Sequence, residues 1–300
     1  MRVSARAWQR FRRHRFGLAG LVVLSLLVAV CASAGWLAAA LDIDPDAVDL
    51  FGQYAPPSPQ HPLGQDDLGR DVLMRLLAGG QVSLSVALVA ALVAASIGTL
   101  VGLAAGYLGG WLDSLLMRLV DGVIALPLLP LLIVLVAVDP AKLGLGEWAE
   151  EETFGLMRII VIVAAVGWTT PARLVRGATL AARAQGYVQA ARALGVSPVA
   201  IALRHILPNV SGPLIVATTL AMGQVILFES ALSFLGLGIQ PPTPSWGNML
   251  TGAQELVWQA PMLSVYPGLA IFLTVIAVNF LGDALQDALA PRATEREEPL

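Results

Sequence analysis

Glu229 and Asp121 fall inside long apolar runs of this 300-residue chain, and an acid in such surroundings has few uses. It lines a water-filled path, pairs with a cation, or bonds a neighbouring helix. No basic residue stands within a helical turn of Glu229, so its two readings are path lining, with attraction for an amino group, and hydrogen bonding between helices. Asp121 has Arg118 three positions before it, a spacing at which two helical side chains meet, so an ion pair is expected, with a part in gating as the other reading. Catalytic signatures are missing. The one lysine, Lys142, is followed by leucine and cannot end a phosphate-cradling loop. No His-Glu-x-x-His or Gly-x-Ser-x-Gly pattern occurs, and His14, His61 and His205 are far apart. The single cysteine, Cys31, excludes an internal disulfide and a thiolate metal cluster. Neither a metal site nor a catalytic residue is expected.

The elements that hold these residues follow from composition. Hydrophobic residues make up 57% and charged ones 13%, with a mean hydropathy of +0.74. A soluble surface needs about twice that charge, so the chain reads as an all-α polytopic membrane protein. A hydrocarbon core about 30 Å thick needs roughly 20 helical residues. Six stretches qualify, near 16–41, 81–107, 119–138, 156–177, 210–232 and 263–285. The first is preceded by arginines like a signal peptide, but its length reads as an uncleaved span. With six alternating spans and a cytoplasmic N-terminus, only Arg70, Arg75, Lys142 and Arg158 of the 18 basic residues fall outside or near that face. Arginines concentrate on the cytoplasmic side of such proteins, so both termini are expected there. The N-terminal arginines then lie against anionic lipid. A net charge of −3 argues against nucleic acid as a partner.

Three regions are distinguished: 1–80, with a basic tail, the first span and a long proline-rich exterior loop; 81–290, a five-helix core; and 291–300, a cytoplasmic tail. The exterior loop is acidic at Asp42, Asp44, Asp46 and Asp49, and the next exterior loop at Glu147, Glu150, Glu151 and Glu152. Leu68, Val72, Leu76 and Leu77 predict a short helix on the interface. Gly109-Gly110 predicts a tight turn between spans two and three. Pro127, Pro130, Pro171 and Pro213 each free a carbonyl and are expected to bend a span.

The cytoplasmic segment 178–209 holds the clearest local pattern. Tyr187, Ala190, Ala191 and Leu194 recur at i, i+3, i+4 and i+7 and predict one face of a short helix that includes Gln189 and Arg192 and ends at Gly195. Ser197-Pro198 then starts a second helix, containing Arg204 and His205, with His205 at a helix end and Leu207-Pro208 as its stop. Such a pair suits insertion into a groove on another protein; packing on lipid headgroups is the other reading.

Gln189-Ala190-Ala191, with Gly195 and Leu207-Pro208, resembles the EAA loop of bacterial ABC importer permeases. The run from His61 to Asp71, HPLGQDDLGRD, is similar to the signature after the first span of the C-type permease of dipeptide and oligopeptide importers, as are RHILPN from Arg204, the stretch from Leu232 to Trp246-Gly247, and NFLGDAL from Asn279. The resemblance implies a type I importer permease fold of six spans in the bacterial inner membrane. It further implies peptide transport, or transport of nickel or glutathione, driven by ATP and Mg held in partner subunits. No cofactor would be bound by this chain. The implied partners are a homologous second permease, two ATP-binding subunits and a substrate-binding protein. The family's glutamate in the EAA triplet is Gln189 here, and its usual threonine after Gly64 is Gln65. An ion-gradient-driven transporter is the alternative, with Glu229 and Asp121 as ion sites, although no inverted repeat is seen.

Overall fold

A computed structural model describes residues 8–138, 142, 152–256 and 258–289. Its elements in order are α1 (Arg15–Ala32), α2 (Ala34–Leu41), α3 (Val72–Leu108), α4 (Gly110–Ile124), α5 (Leu128–Ala137), α6 (Glu152–Gly167), α7 (Thr169–Arg183), α8 (Gly186–Ala193), α9 (Pro198–Ala200), a π-helical stretch Ile201–Ile206, α10 (Leu207–Phe234), a 3₁₀ turn Asn248–Leu250, α11 (Ala253–Leu256) and α12 (Met262–Leu289). β pairing among the described residues is an isolated bridge between Gln65 and Asp71. The all-α expectation therefore holds. Four helices are long and apolar enough to cross a bilayer: α1, α3, the continuous run Pro198–Phe234, and α12. Two bent pairs bring the number to six, α4 with α5 at 87° and α6 with α7 at 42°. The exterior segment 147–151 and the tail beyond 289 lie outside the described residues.

Several expected boundaries are corrected. The first span ends at Ala32, and Ser33, whose Oγ donates to the Val30 carbonyl at 2.7 Å, separates it from α2. The interfacial helix predicted from Leu68 does not form. Asp71 instead caps α3 through the Met74 amide at 2.7 Å, and α3 runs 37 residues without a break, about 55 Å at 1.5 Å per residue. Val72 and Leu77 are buried inside it. The turn at Gly109-Gly110 is as predicted, with φ of +69° and +62°, a region open to glycine.

The prolines act unequally. Pro127 precedes α5 with an extended backbone and marks the 87° break. Pro130 and Pro171 sit in the first turns of α5 and α7, where an amide has no intrahelical partner to lose. Pro213 stays inside α10. Arg158 of α6 donates to the carbonyls of Val136 and Val138, which end α5, satisfying acceptors that helix geometry leaves open.

α3 is the axis of the bundle. Gly98, Gly102 and Gly106 stand four apart along it and face α7. A Cβ on Gly98 would lie 2.6 Å from the Trp168 carbonyl oxygen, one on Gly102 2.6 Å from that of Ala172, and one on Gly106 2.7 Å from Thr179 Cβ. Membrane helices lack a hydrophobic drive toward each other, so close backbone approach over small residues supplies the attraction. Gly17 and Gly20 of α1 bring it in the same way against Ala284 and the Ala277 carbonyl of α12. The main apolar core joins Val86, Ala87 and Ala90 of α3 to Leu132, Ile159, Val163, Val225, Ile226, Trp246 and Ile271.

Replacing Gly102 with Ala is expected to cost about 1–3 kcal/mol, as overpacking does, and to lower the thermal midpoint of detergent-solubilised protein. Gly177→Ala on the open face of α7, where a Cβ would meet nothing within 4 Å, should be neutral or gain up to about 1 kcal/mol.

Candidate functional site

The segment 178–209 builds a compact lobe at the C-terminal end of α3. α8 begins after Gln185 and ends at Leu194, with Gly195 at φ +74° and its amide on the Arg192 carbonyl at 3.1 Å. Val188 and Ala191 point inward and pack with Ile201, Ile206 and Val210 on Leu103, Val175 and Ala182. Tyr187, Gln189, Ala190, Arg192 and Leu194 are exposed, Leu194 by 83%. The predicted single face is thereby corrected: Ala190 lies outward with Tyr187 and Leu194, while Ala191 shares the buried register of Val188. Four small or apolar positions at i, i+3, i+4 and i+7 span a wide arc, and only contact with α3 and α7 decides which edge is covered.

Arginines tie the lobe to the spans. Arg183 donates to the Tyr107 carbonyl at 3.0 Å, one of the open acceptors at the end of α3. Arg192 stands over the Tyr107 ring at 5.7 Å, within range of a cation–π contact. Arg176 of α7 makes a two-pronged pair with Asp113 in the first turn of α4, at 2.5 and 2.7 Å, geometry that fits guanidinium to carboxylate. Gln189 donates its amide to the Ala184 carbonyl at 3.2 Å. A glutamate could not donate there in its ionised form.

Pro208 does not stop the second helix. Ser197 caps it through the Ala200 amide at 3.3 Å, as predicted, and the helix then continues to Phe234. Proline removes an amide and crowds the carbonyl four residues back. The chain widens into a π-helical stretch over Ile201–Ile206, and Asn209 Nδ2 takes the His205 carbonyl at 2.7 Å. His205 lies within that widened turn rather than at a helix end. Arg204, Leu203 and Val199 are exposed, and Leu207 is partly covered.

At the opposite end of α3, residues 61–75 form a charged hairpin. His61 Nδ1 is 2.9 Å from Asp71 Oδ2. Asp66 accepts from the amides of Leu68 and Arg70 at 2.9 Å each and pairs with Arg70 Nε at 2.8 Å. Arg75, nearly fully buried, reaches Asp46 at 2.8 Å. Gln65 is buried, donates to the Gly69 carbonyl at 2.6 Å and packs on Gly52. That bond accounts for a long amide at this position. With Gln240, Asn248, Thr251 and Glu255, the hairpin encloses a cavity of about 460 Å³.

Asp121 has a different partner from the one expected, and Glu229 takes the inter-helix one of its two expected settings. The cation on Asp121 is Arg173 of α7 at 2.5 Å, not Arg118. Arg173 also lines a cavity of about 570 Å³ between α3, α5, α6, α7 and α10, with Gln224, Thr170 and Gln286 among its polar groups. Glu229 is 0% exposed. Its Oε1 accepts from Ser233 Oγ at 2.8 Å and its Oε2 from Ser83 Oγ at 3.2 Å. With no exposed surface, the carboxyl group occupies the inter-helix setting rather than a path-lining one in this conformation. Ser83 and the glycines at 98, 102 and 106 of α3 belong to none of the sequence motifs, and Trp246 belongs to one only as the end of the stretch from Leu232. The four-residue glycine spacing was the available signal. Nothing local marks Ser83.

Comparison with known proteins agrees with this architecture. Residues 98–295 match the family model of the binding-protein-dependent transport system inner membrane component. Residues 4–57 match the N-terminal TM domain of oligopeptide transport permease C. The glutathione transport system permease proteins GsiD of Shigella flexneri serotype 5b and of Escherichia coli O157:H7 are each 43% identical over 285 residues, covering 95% of this chain and 89% of theirs. Matched over most of its length, with its spans and interhelical lobe formed, the chain belongs to the binding-protein-dependent inner membrane components, the permease subunits of bacterial ABC importers.

Proposed function

We propose that this chain is one of two membrane levers of a peptide importer and that α8 is where a separate ATPase takes hold of it. The observation that carries the reading is the surface of the lobe. Leu194, Val199, Leu203 and Tyr187 are exposed large apolar side chains on a short loop structure. Large apolar side chains left exposed on a segment between spans mark a candidate contact site. Their base, Val188, Ala191, Ile201 and Ile206, is buried against the spans. A partner pressing on Tyr187, Gln189, Ala190, Arg192, Leu194 and Gly195 would therefore move α3 and α7 rather than bend a free loop. Arg204, His205, Leu207 and Pro208 would transmit the same push into α10.

In this reading both termini and α8 face the cytoplasm, and ATP and Mg belong to two partner subunits. A homologous permease completes the path, and a soluble binding protein delivers solute from the other side. Binding at remote sites must favour different states of the complex for such coupling to occur. Asp121 remains a path candidate because Arg173, its partner, lines the larger cavity. Glu229 is left out of the path because its carboxyl group is sealed. The relatives' printed function makes glutathione, a tripeptide, the first cargo to try, ahead of dipeptides and longer peptides.

Proteoliposomes holding the complete assembly and its binding protein should accumulate glutathione when ATP is enclosed on the α8 side, and the chain alone should accumulate none. Gradient-driven uptake by the chain alone would refute the lever. Uptake of a dipeptide but not of glutathione would keep the lever and change the cargo.

Cysteine crosslinking tests the docking face. In the assembled transporter, Ala190→Cys labelled with a benzophenone maleimide should photocrosslink to the ATPase, whereas Ala191→Cys, only 6% exposed, should react far less. Equal reaction at both positions, or crosslinks from Ala190→Cys to lipid only, would contradict the assignment.

A further inference from the structure

Glu229 sits at the centre of a hydroxyl relay that the importer mechanism above does not use. Ser83 of α3 donates to Oε2 at 3.2 Å and accepts from the Trp246 amide at 3.1 Å. Ser233 of α10 donates to Oε1 at 2.8 Å and accepts from the Ile239 amide at 3.1 Å. A serine hydroxyl has one proton to give. With that proton committed to Glu229, each oxygen leaves its lone pairs facing a loop amide, so the acid fixes the direction of both relays.

The loop held in this way runs from Gly236 to Leu250, and its seat is tight. Trp246 is 1% exposed, with Nε1 on the Leu76 carbonyl at 2.9 Å. A Cβ on Gly80 would come within 2.8 Å of its ring, and one on Gly247 within 2.6 Å of Ser230 Cα. Asn248 braces the turn from within, through the carbonyls of Ile239 and Thr243. Ile239, Gln240, Pro241, Asn248 and Met249 form one wall of the 460 Å³ cavity, and the hairpin with Asp66, Arg70 and Arg75 forms the other.

We propose that Glu229 is a positioning residue: acting through Ser83 and Ser233, it pins the 236–250 loop to the ends of α3 and α10, so that cavity wall and spans move as one body. Two amides that would otherwise be buried without acceptors are satisfied by hydroxyls whose orientation the acid dictates. The role is one of hydrogen-bond polarity, not of volume. An amide in place of the acid keeps the volume but offers one acceptor oxygen in place of two.

Hydrogen–deuterium exchange on the assembled transporter tests this without reference to its cargo. In a Ser83→Ala/Ser233→Ala variant, which takes the acceptors from the Trp246 and Ile239 amides and two donors from Glu229, amide exchange across 238–250 should accelerate at least about tenfold, as the loss of two anchoring hydrogen bonds implies. Glu229→Gln should produce a smaller, several-fold rise at the same peptides. Peptides covering α8 should not change in either. Unaltered exchange of the loop in both variants would overturn the proposal, as would a uniform rise across the whole chain, which would mean general loosening rather than loss of an anchor. Because the measurement reads the loop alone, its failure leaves the importer assignment intact.

Discussion

Backbone contact between α3 and α7 is the constraint from which the other arrangements follow. Three glycines at four-residue intervals let Trp168, Ala172 and Arg176 of α7 lie against α3 at distances no side chain would allow. That approach fixes where α7 ends, and the end of α7 fixes where α8 begins. Arg183 and Arg192 then close on Tyr107 at the end of α3, and Arg176 draws in the first turn of α4 through Asp113. The lobe is thus an extension of the α3–α7 pair. In the absence of the glycines, α8 would keep its packing on Ile201, Ile206 and Val210 and lose its close seat on Leu103 and Val175.

The two ends of α3 are built on different physics. At the lobe end the contacts are apolar packing crowned by an arginine on a helix carbonyl, which suits the docking role proposed for it. At the other end, a buried network of serines, amides and one acid specifies a single seating for the 236–250 loop, with Trp246 as its plug. Polar networks of this kind fix geometry because each member has a defined donor or acceptor role. α3, at about 55 Å, and the continuous run Pro198–Phe234, which starts in the lobe and ends at Glu229 and Ser233, both reach from one end to the other, so the two together are the natural carriers of motion between them.

Much of this was legible in the sequence, and the parts that were not share a cause. Apolar runs located every span, since hydropathy follows from composition over a window. They could not show that Pro127 turns one span through 87°, because hydropathy carries no direction. The start of α3 lies nine residues before the expected one because Arg75 lowers the local hydropathy, and neither Arg75 nor Gln81 is neutralised by a neighbour in sequence. Their partners, Asp46 and the Cys31 carbonyl, are 29 and 50 residues away. Asp121 was matched to the nearest cation on its own helix, whereas Arg173 reaches it from α7. Pro208 read as a helix stop because the rule omits the π-helical escape that Asn209 supports. Local chemistry was legible at several turns and caps: Ser197 as a cap, Gly195 as a terminator, Gly109-Gly110 as a turn. Pairings across the bundle were not, and Glu229 owes its setting to a serine 146 residues distant.

The central claim is that α8 and the spans move as one body when nucleotide binds. Spin labels at Ala190 and at Leu100, both exposed and on the two elements in question, report it directly by pulsed dipolar spectroscopy of the assembled transporter with and without ATP. The account predicts that this intrachain distance stays the same in both states while the equivalent distance to the second permease changes. A shift of about one helical turn, roughly 5 Å, between Ala190 and Leu100 on nucleotide binding would show a hinged loop in place of a lever and would contradict it.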